Sequence, residues 1–149
     1  MRSATTIRRA ALVAAAMASI GLINAPSASA NWSSYISSWT DGEESRRWED
    51  QGTYSQVQFR DCFAQNAGSS NQKVTLTERV DISFSPDKVL DSKTFSNCFK
   101  GSSYWSNGEW TDVPSGTNTL YFRADKIGQG GSCCLLFVSE VYVDTSKAD

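Results

Sequence analysis

The residues of this 149-residue chain best equipped for chemistry are a short run of rings and polar groups, Tyr104-Trp-Ser-Asn-Gly-Glu-Trp110, followed closely by Asp112. Glycoside hydrolysis needs only two carboxylates at a set separation beside aromatic stacking surfaces, and Glu109 and Asp112 flank Trp110. Scattered loop acids are ordinarily solvated charges, however, and a chain of this size leaves little room for a cleft. The run therefore reads better as a binding surface. Sugar rings have apolar faces that stack on Tyr104, Trp105 and Trp110, while Asn and Glu side chains hydrogen-bond the hydroxyls. The plainer alternative makes Trp105 or Trp110 a core tryptophan.

Other reactive constellations are missing. The chain has no histidine, which removes the commonest general base and the commonest metal ligand together. A Ser-His-Asp triad is thus impossible, and the sequence has no G-x-S-x-G, phosphate loop or EF-hand pattern. No catalytic residue, cofactor or metal is expected. The cysteines Cys62, Cys98, Cys133 and Cys134 lack the C-x-x-C spacing of a zinc site and read as two disulfides. If Cys133 and Cys134 lie on a strand, they point to opposite faces, and each pairs with one of Cys62 and Cys98. The competing arrangement is Cys62–Cys98 beside a vicinal disulfide or a free pair.

A second group of rings lies nearer the N-terminus. Trp32, Tyr35, Ile36 and Trp39 fall at i, i+3, i+4 and i+7, the spacing of one helical face, and Trp48 follows. The intervening serines are weak helix formers. Such a segment either folds back to cover a core or stays loose until its rings dock in a partner's groove, where tryptophan is a favoured anchor.

These residues must be positioned by the rest of the chain. Residues 1–30 read as a secretory signal: Arg2, Arg8 and Arg9 precede an apolar run over 10–22, and Ala28-Ser-Ala30 is an A-x-A cleavage site. Removing those three arginines takes 14 basic side chains to 11 against 16 acidic ones, a net charge of −5. Without a basic stripe, nucleic acid and anionic membranes are poor partners, and no further stretch approaches transmembrane length. The expected location is extracellular, where disulfides persist.

From about residue 54 the apolar period is two. Val74, Leu76, Val80, Ile82 and Phe84 share one face of a predicted strand over 74–84, broken at Glu78, which marks a bulge or an edge. Further strands are expected over 55–60, 93–99, 118–124 and 133–143, separated by Gly-, Pro- and Asn-rich turns. The expected fold is an all-β antiparallel sandwich with two disulfides and a partly extended N-terminal arm. Residues 31–53 form the arm and residues 54–149 the sandwich.

In overall layout, with its signal, its tryptophan-rich arm and its four-cysteine β-domain, the chain resembles the small adaptor subunit of secreted umbrella toxin particles, which are bacterial antagonism complexes. The resemblance implies a non-catalytic adaptor joining a ring-forming toxin subunit to a lectin-bearing subunit. It also implies that Trp32, Tyr35, Trp39 and Trp48 belong to the segment that enters a cleft in that partner. Two other functions fit the residues: a secreted carbohydrate-binding module using Tyr104, Trp105 and Trp110, and a secreted protease inhibitor whose arm or loop fills an enzyme cleft.

Overall fold

The computed structural model describes residues 31–146, so the expected export signal over 1–30 lies outside the described residues. Eight strands form two antiparallel sheets of four. They are β1 (Trp32–Trp39), β2 (Trp48–Asp50), β3 (Ser55–Gln65), β4 (Val74–Val80), β5 (Lys88–Phe95), β6 (Trp105–Trp110), β7 (Asn118–Ile127) and β8 (Leu135–Asp144). One sheet has the order β1-β8-β3-β6 and the other β2-β7-β4-β5. The fold is an all-β sandwich. Alternation builds it: Val57, Phe59, Leu76, Leu120, Phe122, Ala124, Leu136, Val138, Val141 and Val143 all turn inward and are buried.

The N-terminal segment is part of this sandwich, not a helix or a separate arm. β1 pairs antiparallel with β8, from Trp32 opposite Val143 to Trp39 opposite Leu136. The helical spacing of its rings has a different origin. Ile36 and Trp39 differ by an odd number of positions, so a regular strand would put them on opposite faces. A register shift between them, with Ser38 at φ 61°, returns Trp39 to the core side. Ile36 is buried, while Trp32 and Trp39 pack half-buried against the core. β2 then lies against β7, with Trp48 opposite Leu120.

The disulfides follow the competing arrangement. Cys62 bonds Cys98 with the Cα atoms 5.1 Å apart, and Cys133 bonds its neighbour Cys134. The opposite-face argument required a strand at 133–134, but β8 begins at Leu135 and the pair lies in the preceding turn. Cys62 reaches the core because the inward positions of β3 change parity after Phe59. Asp61, at φ 55°, makes that change.

The strand expected over 74–84 ends at Val80. Ile82 and Phe84 turn outward and are exposed, with Phe84 at φ 63° in the turn that leads to β5. A shift in the β4–β5 register lies between Thr77 and Arg79, so Glu78 does sit at a bulge. It is not on an edge: β4 is flanked by β5 and β7, and Glu78 is fully buried.

Candidate functional site

The open flank of the sandwich, where edge strand β1 faces the segment leading into β2, holds an aromatic cleft. Trp32, Ile36, Trp39, Phe122 and Val141 give it an apolar lining, Ser34 and Ser45 add polar lining, the exposed Tyr35 and Arg46 lie at its edge, and its volume is about 120 Å³. Phe122 is the hub beneath it. The ring of Phe122 lies 6.5 Å from Trp32 in a stacked pair, 5.9 Å from Trp39, 6.3 Å from Trp48 and 5.6 Å from Phe59. These separations are in the range where ring pairs attract beyond their area burial.

The far wall is pinned by backbone pairing. Ser45 N donates to Phe122 O at 2.9 Å, and Phe122 N donates to the Ser45 hydroxyl at 3.0 Å. That hydroxyl also donates its one proton to Arg46 O at 2.8 Å, so Ser45 helps hold the wall from both sides. Arg46 lies over the Trp32 ring, 4.8 Å from its centroid, in a cation–π contact. Its neighbour Arg47 is engaged elsewhere, with Glu44 and Asp81.

Of the four arm residues singled out from the sequence, three meet at this cleft. Tyr35 is 71% exposed, and Trp32 and Trp39 present part of their rings. Trp48 does not: it is buried, 5.6 Å from Trp32, and supports the site from below. Phe122, Ser45 and Arg46 were missed because each comes from a segment distant in sequence, and no local spacing links them to β1.

The aromatic run at 104–110 is less of a platform than its sequence suggests. Trp110 is 1% exposed and donates its indole N–H to Asp91 O at 2.9 Å, which removes it from any glycan surface. It is a core tryptophan because it falls on the inward parity of β6, with Ser106 and Gly108. Tyr104 is exposed, and Trp105 lies half-buried on the outer face beneath Arg60. Glu109 and Asp112 are both exposed, and Glu109 accepts from the amides of Gln56 and Asn107. These two acids flank a ring that points the other way.

The buried carboxyls are elsewhere. Glu78 accepts from the Ser55 hydroxyl at 2.6 Å, and burial, with Asp50 and Asp112 nearby, pushes it up to about 8. Asp50 accepts from Gly52 N at 2.7 Å and is also raised by burial. Both are sealed from solvent, so they bear on stability and not on a substrate. Among the described residues, no group of three or more potential ligands could hold a metal ion.

No protein-family model matches the chain, and no curated protein matches it.

Proposed function

We propose that this protein is a secreted, non-catalytic adaptor that joins partner proteins, as the small subunit of an umbrella-type antibacterial toxin complex would. The observation carrying this reading is the flank cleft, in which Trp32, Tyr35 and Trp39 hold partly exposed rings on an edge strand. Monomeric domains seldom leave such rings at a concave apolar site unless something binds there. Two disulfides support an oxidising compartment outside the cell. The arm contributes as one wall of a rigid receiving site and not as a loose segment.

The reading is tested by purifying the tagged protein from its producer's culture fluid and identifying what accompanies it. Large secreted proteins should co-purify with the wild type and be lost or weakened in a Tyr35→Ser variant, which removes an exposed ring without loosening the core. Retention on cell-wall glycan alone, abolished by Tyr104→Ala, would support the carbohydrate-binding alternative instead.

A further inference from the structure

We infer that the flank cleft takes an apolar side chain flanked by a carboxylate, presented on an exposed segment of a partner protein, with Arg46 as the carboxylate's counterpart. This rests on the cleft being a binding site, as proposed above, and adds the chemistry of what it binds.

Size sets the first limit. A volume of about 120 Å³ is close to that of an apolar cavity known to hold a single benzene-sized group. The lining is mainly apolar, so the group seated there is an aromatic or branched aliphatic side chain. A longer or polar guest would leave its hydrogen-bonding groups unpaired against Trp32, Ile36, Trp39, Phe122 and Val141.

Charge sets the second limit. Arg47, Arg60, Arg123 and Lys93 each form an ion pair with a nearby carboxylate. Arg46, like Lys73, Arg79, Lys88, Lys100 and Lys126, forms none with the described residues, and of these it is Arg46 that lines the cleft. The cation–π contact holds the Arg46 guanidinium 4.8 Å from the Trp32 centroid, and a guanidinium not paired with an acid can receive a carboxylate with two parallel hydrogen bonds. With the Ser45 proton already donated, Arg46 is, among the described residues lining the cleft, the charged group able to select a ligand. A mainly apolar cleft edged by Arg46, which has no ion pair among the described residues, is complementary to an apolar residue next to Asp, Glu or a terminal carboxylate.

The test follows the indole N–H signals of the uniformly ¹⁵N-labelled secreted protein, assigned by Trp→Phe variants. Two probes are titrated: N-acetyl-phenylalanyl-aspartyl amide and its asparaginyl counterpart, identical in shape but lacking the charge. The aspartyl probe should shift the Trp32 and Trp39 signals saturably, with the asparaginyl probe roughly tenfold weaker. Arg46→Gln, at an exposed position, should keep the fold and make the two probes equal. Equal binding of both probes by the wild type, no saturable shift, or a preference that survives Arg46→Gln would overturn the inference. The adaptor reading is judged separately. If the probes fail while Tyr35→Ser, folded as the wild type, still loses its secreted partners, the ligand chemistry is wrong and the adaptor stands. If the probes behave as expected while no secreted partner is lost, the site stands without the adaptor.

Discussion

A carboxyl sealed between two sheets must either find a cation or keep its proton, and Glu78 forms no ion pair with the described residues. Burial raises it from 4.5 to about 8, which makes stability depend on pH with a definite sign. Below 4.5 both the folded and unfolded states hold the proton. Between 4.5 and 8 the unfolded state has released it and the folded one has not, so stability falls as pH rises through this window and stays low above it. Glu78→Gln should remove most of that slope and melt higher than the wild type near pH 8, by an amount approaching about 1.4 kcal/mol per pH unit of the window. Thermal melts from about pH 5 to pH 8 check it; parallel slopes for the two proteins would contradict the assignment. Asp50 is raised by burial in the same direction and adds a slope of the same sign where it titrates. A second residue-scale expectation concerns Gly108, where an added Cβ would lie 2.7 Å from Phe95 Cε1 and 3.0 Å from Trp110 Cη2. Both rings are locked in the core, so Gly108→Ala should cost about 1–3 kcal/mol by overpacking, seen as a lower Tm. The break at Glu78 was legible in the sequence as a charge interrupting an apolar face. Its full burial was not, because the Ser55 hydroxyl that satisfies one oxygen comes from another strand.

At the scale of elements, the two disulfides should differ sharply in what they contribute. Cys62 and Cys98 are 36 residues apart, so their bond removes substantial freedom from the unfolded state and is worth roughly 2–4 kcal/mol. Cys133 and Cys134 are adjacent, and joining them restricts almost no additional backbone. Cys62→Ala/Cys98→Ala should therefore lower Tm far more than Cys133→Ala/Cys134→Ala, and comparable losses would show that the vicinal bond holds the 128–134 turn in a way the fold depends on. Four strands, β3, β4, β7 and β8, were visible as period-two patterns because each buries alternating residues on a shared core. By contrast, β5 runs Lys88–Phe95 and not 93–99, and β2 and β6 were not read as strands. β1 was not, because its bulges break the alternation and place Trp32, Ile36 and Trp39 at spacings that mimic a helix. A bulge is set by pairing with another strand, and a single segment read alone carries no trace of its partner. The cysteine pairing failed for a related reason: whether adjacent side chains diverge depends on strand geometry that a turn does not have.

For the molecule as a whole, the two flanks of the sandwich are closed differently. On one, the edge strands β5 and β6 are tied by the Trp110 indole bonded to Asp91 O and by the nearby Cys62–Cys98 bridge. On the other, β1 and the segment before β2 meet through the rings of Trp32, Trp39, Trp48 and Phe122, and this is where the cleft lies. Rings that close a core and also face a cleft cannot be removed without loosening the packing, so a substitution there confounds packing with any binding at the cleft. Trp32→Ala/Trp39→Ala should lower stability by an amount short of the about 3–5 kcal/mol typical of a single fully buried tryptophan for each ring, because both remain partly exposed. Removing residues 31–40 should do much worse, since it strips a whole strand from β8 and uncovers Leu136, Val138 and Val141. Tyr35 separates the two roles. It is 71% exposed, so truncating it removes little packing, yet it stands at the mouth of the cleft. Tyr35→Ser should leave Tm within about one degree of the wild type, as surface changes usually do, while weakening capture of the secreted partner several-fold. Paired melting and binding measurements on this one variant decide the matter. Unchanged capture would mean that the rings of this flank seal the core and do no more.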